Sequence, residues 1–263
     1  MKFETLLVEM SEPVAKVTIN RPDKLNALSE LVLTELKQLL IEFKSKKHPK
    51  VLGMILTGSG EKAFIAGADI KAMSEMSPAE GEAFGKLGQE VTELMESLPF
   101  PVIACVNGFA LGGGCEIAMS CDYIYATQTA VFGQPEVNLG LIPGFGGCVR
   151  LMRYVGMARA KELIYTGRNI KAPEAHTLGL VNELFENTYG MMEAATHSLQ
   201  MVASKSPTAV AQCKQIINAA MGVGTHEGLE MEKAAFRRVF ESEDKREGVA
   251  AFLEKRKPVF PGK

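Results

Sequence analysis

The sequence predicts an α/β fold, because segments with the pattern of strands alternate with segments with the pattern of helices. Two short apolar runs, Val51 to Thr57 and Val102 to Val106, each stop at a glycine-containing turn and are typical of strands buried on both faces. Between them, Ala79 to Leu98 has the composition of a helix that ends at Pro99. Strands that alternate with helices favour crossover connections over a β-sandwich.

The N-terminal segment begins this alternation. Residues 15–19 alternate apolar and polar side chains, which predicts a half-buried strand that ends at the Asn20-Arg21-Pro22-Asp23 cluster. Beyond Ser29, a candidate N-cap, apolar side chains recur at helical spacing from Leu33 to Phe43. We expect this helix to close at His48-Pro49.

The remaining elements continue the alternation up to about Thr188, after which only helices are predicted. Strands are predicted at Tyr123 to Ala126 and Val181 to Phe185, and helices at Gly147 to Val155, Ala158 to Tyr165 and Ala172 to Leu178. The later helices are predicted at Tyr189 to Ser204, Pro207 to Met221, Thr225 to Phe240 and Lys245 to Glu254. We therefore divide the chain into an α/β core, residues 1–188, and a helical region, residues 189–263. The helical region is too small to bury much by itself and is expected to dock on its own core or on a neighbouring subunit.

Composition and charge exclude several classes of protein. With 46% hydrophobic and 23% charged residues over 263 positions, the chain can bury a full core, which excludes intrinsic disorder and a minimal disulfide scaffold. The formal net charge is −2, and no run of like charges exceeds Lys255-Arg256-Lys257, so there is no basic surface typical of nucleic-acid binders. Small molecules or further copies of the chain are the expected partners.

Cysteine usage and the length of apolar runs bear on the compartment. The five cysteines are odd in number, lack CxxC spacing and lie in apolar stretches, so we expect small buried residues in a reducing compartment. They are Cys105, Cys115, Cys121, Cys148 and Cys213. Residues 1–10 lack the apolar segment of a signal peptide, and no apolar run approaches the roughly 18 residues that span a bilayer. We expect a soluble, cytoplasmic protein with no membrane partner.

Three glycine-rich segments are candidate ligand sites, because glycine lets a ligand approach the main chain closely. Nucleotide binding is not supported, since the sequence contains neither a P-loop pattern nor the GxGxxG dinucleotide fingerprint. The three segments are Ala66-Gly67-Ala68-Asp69, Gly112-Gly113-Gly114-Cys115-Glu116 and Pro143-Gly144-Phe145-Gly146-Gly147.

An oxyanion site is the alternative to nucleotide binding. Gly113 is expected at the start of a helix that runs through Met119, where unsatisfied N–H groups and the helix dipole favour negative charge, such as that of a thioester enolate. One oxyanion donor is typically worth a factor on the order of 10²–10³ in rate, so a pair from two glycine-rich turns can carry much of a reaction. The competing interpretation is that a triple glycine lets a helix pack tightly on a strand.

Two glutamates are candidate acid and base residues. Glu116 follows Gly113 by about one helical turn, and Glu136 follows a short strand and a turn fixed by Pro135. Both have apolar neighbours, so burial and mutual repulsion are expected to raise at least one pKa and to let a protonated acid and an ionised base coexist near neutral pH. Taken alone, each glutamate fits a solvated or capping role better.

Six segments of the chain together carry a family pattern. They are Asn20-Arg21-Pro22 with Leu25 to Leu28, Lys62-Ala63-Phe64 with Ala66 to Ile70, Asn107 to Glu116, Phe132 to Glu136, Gly140 to Gly144, and Glu247 to Arg256. In this order they resemble the enoyl-CoA hydratases of the crotonase superfamily over nearly the whole chain. The resemblance implies a crotonase-like spiral of β-β-α repeats with two roughly perpendicular sheets. It also implies a C-terminal helical trimerisation region, and hence a homotrimer or a homohexamer that is a dimer of trimers.

The resemblance also implies roles for four catalytic residues. The N–H groups of Ala68 and Gly113 would form the oxyanion hole for the acyl thioester oxygen. Glu116 would activate water for attack at C3, and Glu136 would deliver the proton to C2, giving syn hydration of a trans-2-enoyl-CoA. No metal and no redox cofactor is needed, and coenzyme A is part of the substrate.

Substrate contacts follow from the same resemblance. Lys24 and the stretch from Ala66 through Ala68, Asp69, Ile70 and Lys71 resemble the groove for coenzyme A, together with Gly113, Pro143 and Gly144. Phe252 and Lys255 resemble the pair that closes over the adenine. For the three lysines the alternative is an ordinary surface position, and for Asp69 it is a hydrogen bond to backbone N–H groups in its own turn.

Some positions depart from the family pattern. Many relatives have Thr and Gln where this chain has Cys148 and Val149, and Phe145 is bulkier than the common small residue. These changes leave the acid, the base and the oxyanion donors untouched, but they bear on acyl-chain preference. Met73 and Met76 are candidates for an adaptable acyl pocket, with plain core filling as the alternative.

Two other functions compete with hydration. Another reaction on the same scaffold, such as enoyl-CoA isomerisation, typically uses a single glutamate, so the presence of both Glu116 and Glu136 favours hydration. A non-catalytic acyl-CoA-binding or RNA-binding protein is the second, although the near-neutral charge disfavours RNA and a pure binder needs neither carboxylate. Fatty-acid oxidation, amino-acid degradation, aromatic degradation and butanoate-type fermentation all use such a step, so the pathway stays open.

Overall fold

Six strands form the larger of two sheets in the computed structural model, which describes residues 3–45, 48 and 50–263. In spatial order they are β1 (Leu6–Ser11), β2 (Val14–Ile19), β3 (Gly53–Gly58), β5 (Val102–Val106), β7 (Tyr123–Thr127) and β10 (Glu183–Phe185). The β1–β2 pair is antiparallel and the other pairs are parallel. The central strands are buried on both faces, as the apolar runs predict.

The smaller sheet has four short strands: β4 (Ala63–Ile65), β6 (Phe109–Leu111), β8 (Val131–Gly133) and β9 (Ile170–Lys171), in that order. The β4–β6 and β6–β8 pairs are parallel, and β8–β9 is antiparallel. The chain passes from the larger to the smaller sheet three times, from β3 to β4, from β5 to β6 and from β7 to β8. Helices follow each passage, so the predicted spiral of β-β-α repeats is confirmed.

Helices connect and cover the sheets. In chain order they are α1 (Glu30–Lys44), α2 (Ile70–Met73), α3 (Pro78–Glu96), α4 (Gly113–Ser120), α5 (Gly147–Val155), α6 (Met157–Thr166), α7 (Ala172–Thr177), α8 (Thr188–Ala203), α9 (Pro207–Ala220), α10 (Thr225–Glu241) and α11 (Glu243–Leu253). The predicted cap Ser29 accepts a hydrogen bond from the N–H of Val32. Ser77 and Glu80 form a capping box at the start of α3. Of the predicted stop at His48-Pro49, Pro49 lies outside the described residues.

The sequence patterns missed β1, β4, β6, β9 and α2. Only Leu6 of β1 is buried, so this edge strand shows no alternation of apolar and polar side chains. The other four elements have two to four residues, which is too short for any period to be seen. Long-range pairing, rather than local pattern, therefore determines the smaller sheet.

The first helix of the predicted helical region belongs with the sheet. Helix α8 covers the outer face of the six-stranded sheet through Met191, Ala195 and Leu199. Helices α9, α10 and α11 pack on one another. The expected docking of this region on its own core is therefore realised by α8, and by α9 through buried Lys214, whose ammonium donates to the carbonyls of Met95 and Phe100. The division between residues 188 and 189 stays a prediction.

The cysteines do not share one environment. All five are free thiols, and Cys105, Cys115 and Cys121 are buried as expected. The prediction was wrong for Cys148 and Cys213, which are exposed. Cys148 lies in the first turn of α5, and Cys213 lies on α9, a helix that buries only its neighbour Lys214.

Candidate active site

The predicted site is built from three turns at one edge of the smaller sheet. Residues 66–69 follow β4, residues 112–116 follow β6, and residues 134–136 follow β8. Because β4, β6 and β8 are neighbouring parallel strands, their carboxyl ends bring the three turns together. Crevices outside the carboxyl ends of parallel strands are the usual ligand sites of α/β proteins. The triple glycine and both glutamates thus share one location.

The two predicted oxyanion donors are joined through Leu28. Leu28 forms a parallel bridge with Ala68, in which its N–H donates to the carbonyl of Gly67 and its carbonyl accepts from the N–H of Asp69. This pattern leaves the N–H of Ala68 directed away from Leu28. A Cβ on Gly113 would lie 3.0 Å from Cδ1 of Leu28, and Gly113 is the first residue of α4, where the N–H has no partner within the helix.

The glycines of the triple run serve different purposes. A Cβ on Gly114 would overlap the carbonyl of Ile65 in β4, so this glycine lets α4 pack tightly on the sheet. The packing interpretation is therefore correct for Gly114. Gly112 has φ +49° and lies before the helix, where its N–H donates to Gly133. Gly113 contacts Leu28 and the ring of Phe145.

Glu116 is buried in the first turn of α4, with 1% of its surface exposed. Its Oε1 accepts the N–H of Phe145 at 2.8 Å and the N–H of Gly147 at 2.6 Å. The pKa of Glu116 is raised to about 7, chiefly by burial and also by the negative charge of Glu136, against the lowering effect of the two backbone donors and of Arg150.

Glu136 opens a short 3-10 helix, Glu136–Leu139, and its carboxyl group lies against Gly112. Burial raises the pKa of Glu136 to about 7 as well. Its Oε2 is buried and has no hydrogen-bond partner among the described residues. The expectation that burial raises at least one of the two pKa values is met by both glutamates.

Arg21 holds the turn that carries Ala68, a role the sequence patterns did not assign. Its guanidinium donates to the carbonyl of Ala27 at 2.6 Å and to the carboxylate of Asp69 at 3.2 Å. Asp69 makes no side-chain bond to the start of α2, so its expected alternative of binding N–H groups in its own turn was wrong. Buried Asn26 donates to the carbonyl groups of Ser59 and Ala63, which fixes the preceding loop.

The predicted coenzyme A contacts surround this turn unevenly. Lys24, Ile70 and Lys71 are exposed beside the turn, and Ala66 and Asp69 are half-buried in it. Pro143 is buried, and the carbonyl of Gly144 accepts a hydrogen bond from Gln89 of α3. Met73 and Met76 pack against the main hydrophobic core, which favours core filling for this pair.

Among the described residues, no contact links Phe252 or Lys255 with Glu116 or Glu136. Phe252 lies near the end of α11 and is 83% exposed, and Lys255 is exposed with φ +55°. Helix α11 packs on α9 and α10. Their contact with the adenine stays a prediction.

Comparisons with known proteins cover the whole chain. The model of the enoyl-CoA hydratase/isomerase family matches residues 9–263. The chain belongs to this family. It is 49% identical over 257 residues to the short-chain-enoyl-CoA hydratase of Clostridium acetobutylicum, covering 98% of this chain and 97% of that protein. It is 44% identical over 263 residues to the crotonyl-CoA hydratase of Syntrophomonas wolfei, covering 100% of both. A crystal structure of enoyl-CoA hydratase from Bacillus anthracis superposes with a TM-score of 0.94 at 40% identity, covering 99% of this chain and 100% of that chain.

Over residues 3–45, 48 and 50–263, no three His, Cys, Asp or Glu side chains are grouped so as to hold a metal ion. Within the same residues, every helix is too short or too polar to cross a bilayer. The family assignment predicted from six sequence segments is confirmed.

Proposed function

We propose that this chain catalyses the reversible syn hydration of a trans-2-enoyl-CoA to a 3-hydroxyacyl-CoA. The observation that carries the proposal is the pair formed by Glu116, which is buried, and Glu136, which is half-buried with an enclosed Oε2, beside the helix start at Gly113. Water is a poor nucleophile, and an enoyl thioester is electrophilic at C3 only while its carbonyl is polarised. Both requirements have candidate groups here.

The proposed oxyanion hole consists of the N–H groups of Ala68 and Gly113. Its support is that Leu28 contacts both residues and that neither N–H has a local role in its own turn or helix. The positive end of α4 adds to the stabilisation of an enolate oxygen. No metal or redox cofactor enters this proposal.

The environments of the two glutamates support a division of roles. Two backbone N–H groups donate to Glu116, which favours its ionised form and suits a base that activates water for attack at C3. Oε2 of Glu136 has no such donor among the described residues, which suits the protonated form that delivers a proton to C2. The pair can therefore hold one proton near neutral pH.

We propose a short acyl chain for the substrate. Two relatives at 44–49% identity are named short-chain-enoyl-CoA hydratase and crotonyl-CoA hydratase. In this chain the buried ring of Phe145 occupies the space between Gly88 and Gly113, which leaves less room beside the proposed oxyanion donor. Coenzyme A is proposed to contact Lys24, Ala66, Asp69, Ile70, Lys71, Pro143, Gly144, Phe252 and Lys255.

A homotrimer or homohexamer is proposed as the assembly. Its support is the exposed apolar surface of the C-terminal helices, where Ile217, Phe236 and Phe240 are each more than half exposed. A cytoplasmic location is proposed with it, because all five cysteines are free thiols, as is usual in a reducing compartment.

The test is turnover of a four-carbon trans-2-enoyl-CoA, followed by the loss of absorbance of the conjugated thioester. Hydration predicts a product heavier by one water and, in D₂O, one deuterium at C2. A product of unchanged mass in which the double bond has moved would show that the chain is an isomerase rather than a hydratase. Tight binding without turnover or labelling would make the chain a non-catalytic binder.

A further inference from the structure

The loop before α5 forms the binding site for the carboxylate of Glu116. The N–H groups of Phe145 and Gly147 both point to Oε1, and Gly146 between them has φ +107°. A left-handed residue between two others turns successive N–H groups to one side, which makes a concave anion site. The carbonyl of Phe145 consequently faces the opposite side of the loop.

Arg150 and α3 hold that opposite side. Nη1 of Arg150 donates to the carbonyl of Phe145 at 2.9 Å. The hydroxyl of Thr92, whose shorter bond of 2.8 Å is to the carbonyl of Gln89, lies 3.3 Å from the same oxygen. Nε and Nη2 of Arg150 bind the two carboxylate oxygens of Glu96 at 2.7 and 2.8 Å. Arg150 is only 8% exposed, so this forked pair is held in one geometry.

We propose that Arg150, fixed by Glu96, is a positioning residue that keeps the Phe145 and Gly147 N–H groups aimed at Glu116. The expected effect on kcat depends on the proposed hydration, whereas the positioning of the two N–H groups does not. A lysine could not bind the Phe145 carbonyl and both oxygens of Glu96 in the same planar geometry. The position of Arg150 also requires glycine at residue 146, because a Cβ on Gly146 would overlap Nη1 of Arg150.

The charges around Glu116 predict the direction in which its pKa changes when Arg150 is removed. Glu136, Cys115 and Cys148 are the ionisable groups that face it besides Arg150, and Glu96 lies behind Arg150. The positive charge of Arg150 lowers the pKa of Glu116, as do the two backbone donors that Arg150 positions. Removing Arg150 therefore raises the pKa of Glu116 by two routes and leaves less of the ionised base at neutral pH.

Three variants test this role. Arg150→Met removes the anchor, and Glu96→Met/Arg150→Met removes it without leaving Glu96 as an uncompensated charge. Arg153→Met is the matched control, because it is the same substitution one turn later on α5 at an exposed position. Urea unfolding establishes that each variant is folded before it is compared.

The first readout does not depend on turnover. Difference infrared titration follows the protonated carboxyl band that Glu116→Gln abolishes. Arg150→Met and the double variant are expected to move its midpoint upward by about one pH unit or more, since loss of a charge and of two hydrogen bonds shifts a pKa on this scale. Arg153→Met is expected to leave the midpoint in place.

The second readout is kinetic. At pH 7, Arg150→Met is expected to lose about 10²-fold in kcat with a much smaller change in KM, as for a misplaced catalytic group. An unmoved midpoint in the folded double variant would overturn the proposal. If the wild-type protein does not hydrate the thioester but the midpoint still moves, the proposed function fails and the positioning role stands.

Discussion

The carboxyl group of Glu136 lies directly against Gly112, where a Cβ would stand 2.8 Å from Oε1 of Glu136. The same Gly112 carbonyl accepts the N–H of Glu116 at 3.0 Å, so one residue contacts both members of the proposed acid-base pair. With φ +49° and ψ −124°, it has a backbone conformation that glycine adopts most readily. The spacing of the two carboxylates therefore depends on the absence of a side chain at this position.

Replacing Gly112 by alanine is expected to impair catalysis. The new Cβ would strain the backbone and push the Glu136 carboxyl group away, and a displacement of about 1 Å can cost on the order of 10²-fold in kcat. Steady-state kinetics on a short trans-2-enoyl-CoA measure the effect. Gly81→Ala is the control, because Gly81 is an exposed residue of α3 with no atom within 4 Å of a new Cβ. Equal activity of the two variants would show that Gly112 does not set the spacing.

Gly114→Ala is expected to destabilise the fold rather than alter the chemistry alone. Its Cβ would overlap the carbonyl of Ile65, so α4 and β4 must separate, at a cost of roughly 1–3 kcal/mol or more. Gly81→Ala should instead stabilise the protein by up to about 1 kcal/mol, because alanine is the better helix former. Urea unfolding of both variants compares the free energies directly. A Gly114→Ala protein as stable as wild type would contradict the close packing.

The rate is expected to depend on pH as a narrow bell with its maximum near pH 7. Each glutamate has a pKa of about 7. As the pH falls below that value, Glu116 is protonated and ceases to be a base, and as it rises, Glu136 loses the proton it must donate. Profiles of kcat/KM measure the two limbs. Glu116→Gln and Glu136→Gln are each expected to lose on the order of 10²–10⁴-fold in kcat, and full activity in both would remove the assignment.

Glu116 should make the protein less stable as the pH rises. Its folded pKa of about 7 lies above the ordinary value of 4.5, so its contribution is fully present below pH 4.5 and is lost as the pH rises through 7. Glu116→Gln still accepts the two backbone N–H groups but carries no charge. The variant is therefore expected to be more stable than wild type by roughly 1–3 kcal/mol at pH 8. This difference in the free energy of unfolding should be smaller at pH 5. Urea unfolding of both proteins at pH 5 and pH 8 measures it.

Lys214 is expected to secure α9 to the core. Its buried ammonium donates to the carbonyls of Met95 and Phe100 and to the carboxylate of Asp122, at 3.1, 3.0 and 2.7 Å. Lys214→Met leaves Asp122 buried and unpaired, which should cost about 3–5 kcal/mol. Burial already raises the pKa of Asp122, and without Lys214 it rises further, so the loss should be larger at pH 8 than at pH 5.

The control for this prediction is Lys205→Met, an exposed lysine close to the start of α9. Urea unfolding at both pH values compares the two variants. A Lys214→Met protein with wild-type stability would mean that the apolar contacts of α9 and α8 suffice to hold the C-terminal helices.

Local sequence patterns predicted the helices and strands that are long enough to show a hydrophobic period. The buried runs of β3 and β5, the cap at Ser29 and the helix that begins at Gly113 all follow from neighbouring residues. The two glutamates could be chosen because they follow turns and have apolar neighbours. Their family roles came from resemblance, since a single buried glutamate has several possible uses.

Tertiary structure alone decided which groups meet. Strands of three residues carry no period, yet β4, β6 and β8 align the three turns of the site. The N–H donors of Glu116 lie 29 and 31 residues beyond it, and Glu96 lies 54 residues from Arg150. These partners are determined by burial, because a buried polar group needs a hydrogen-bond partner, and that partner can come from any part of the folded chain. A local sequence pattern therefore does not predict which residue it is.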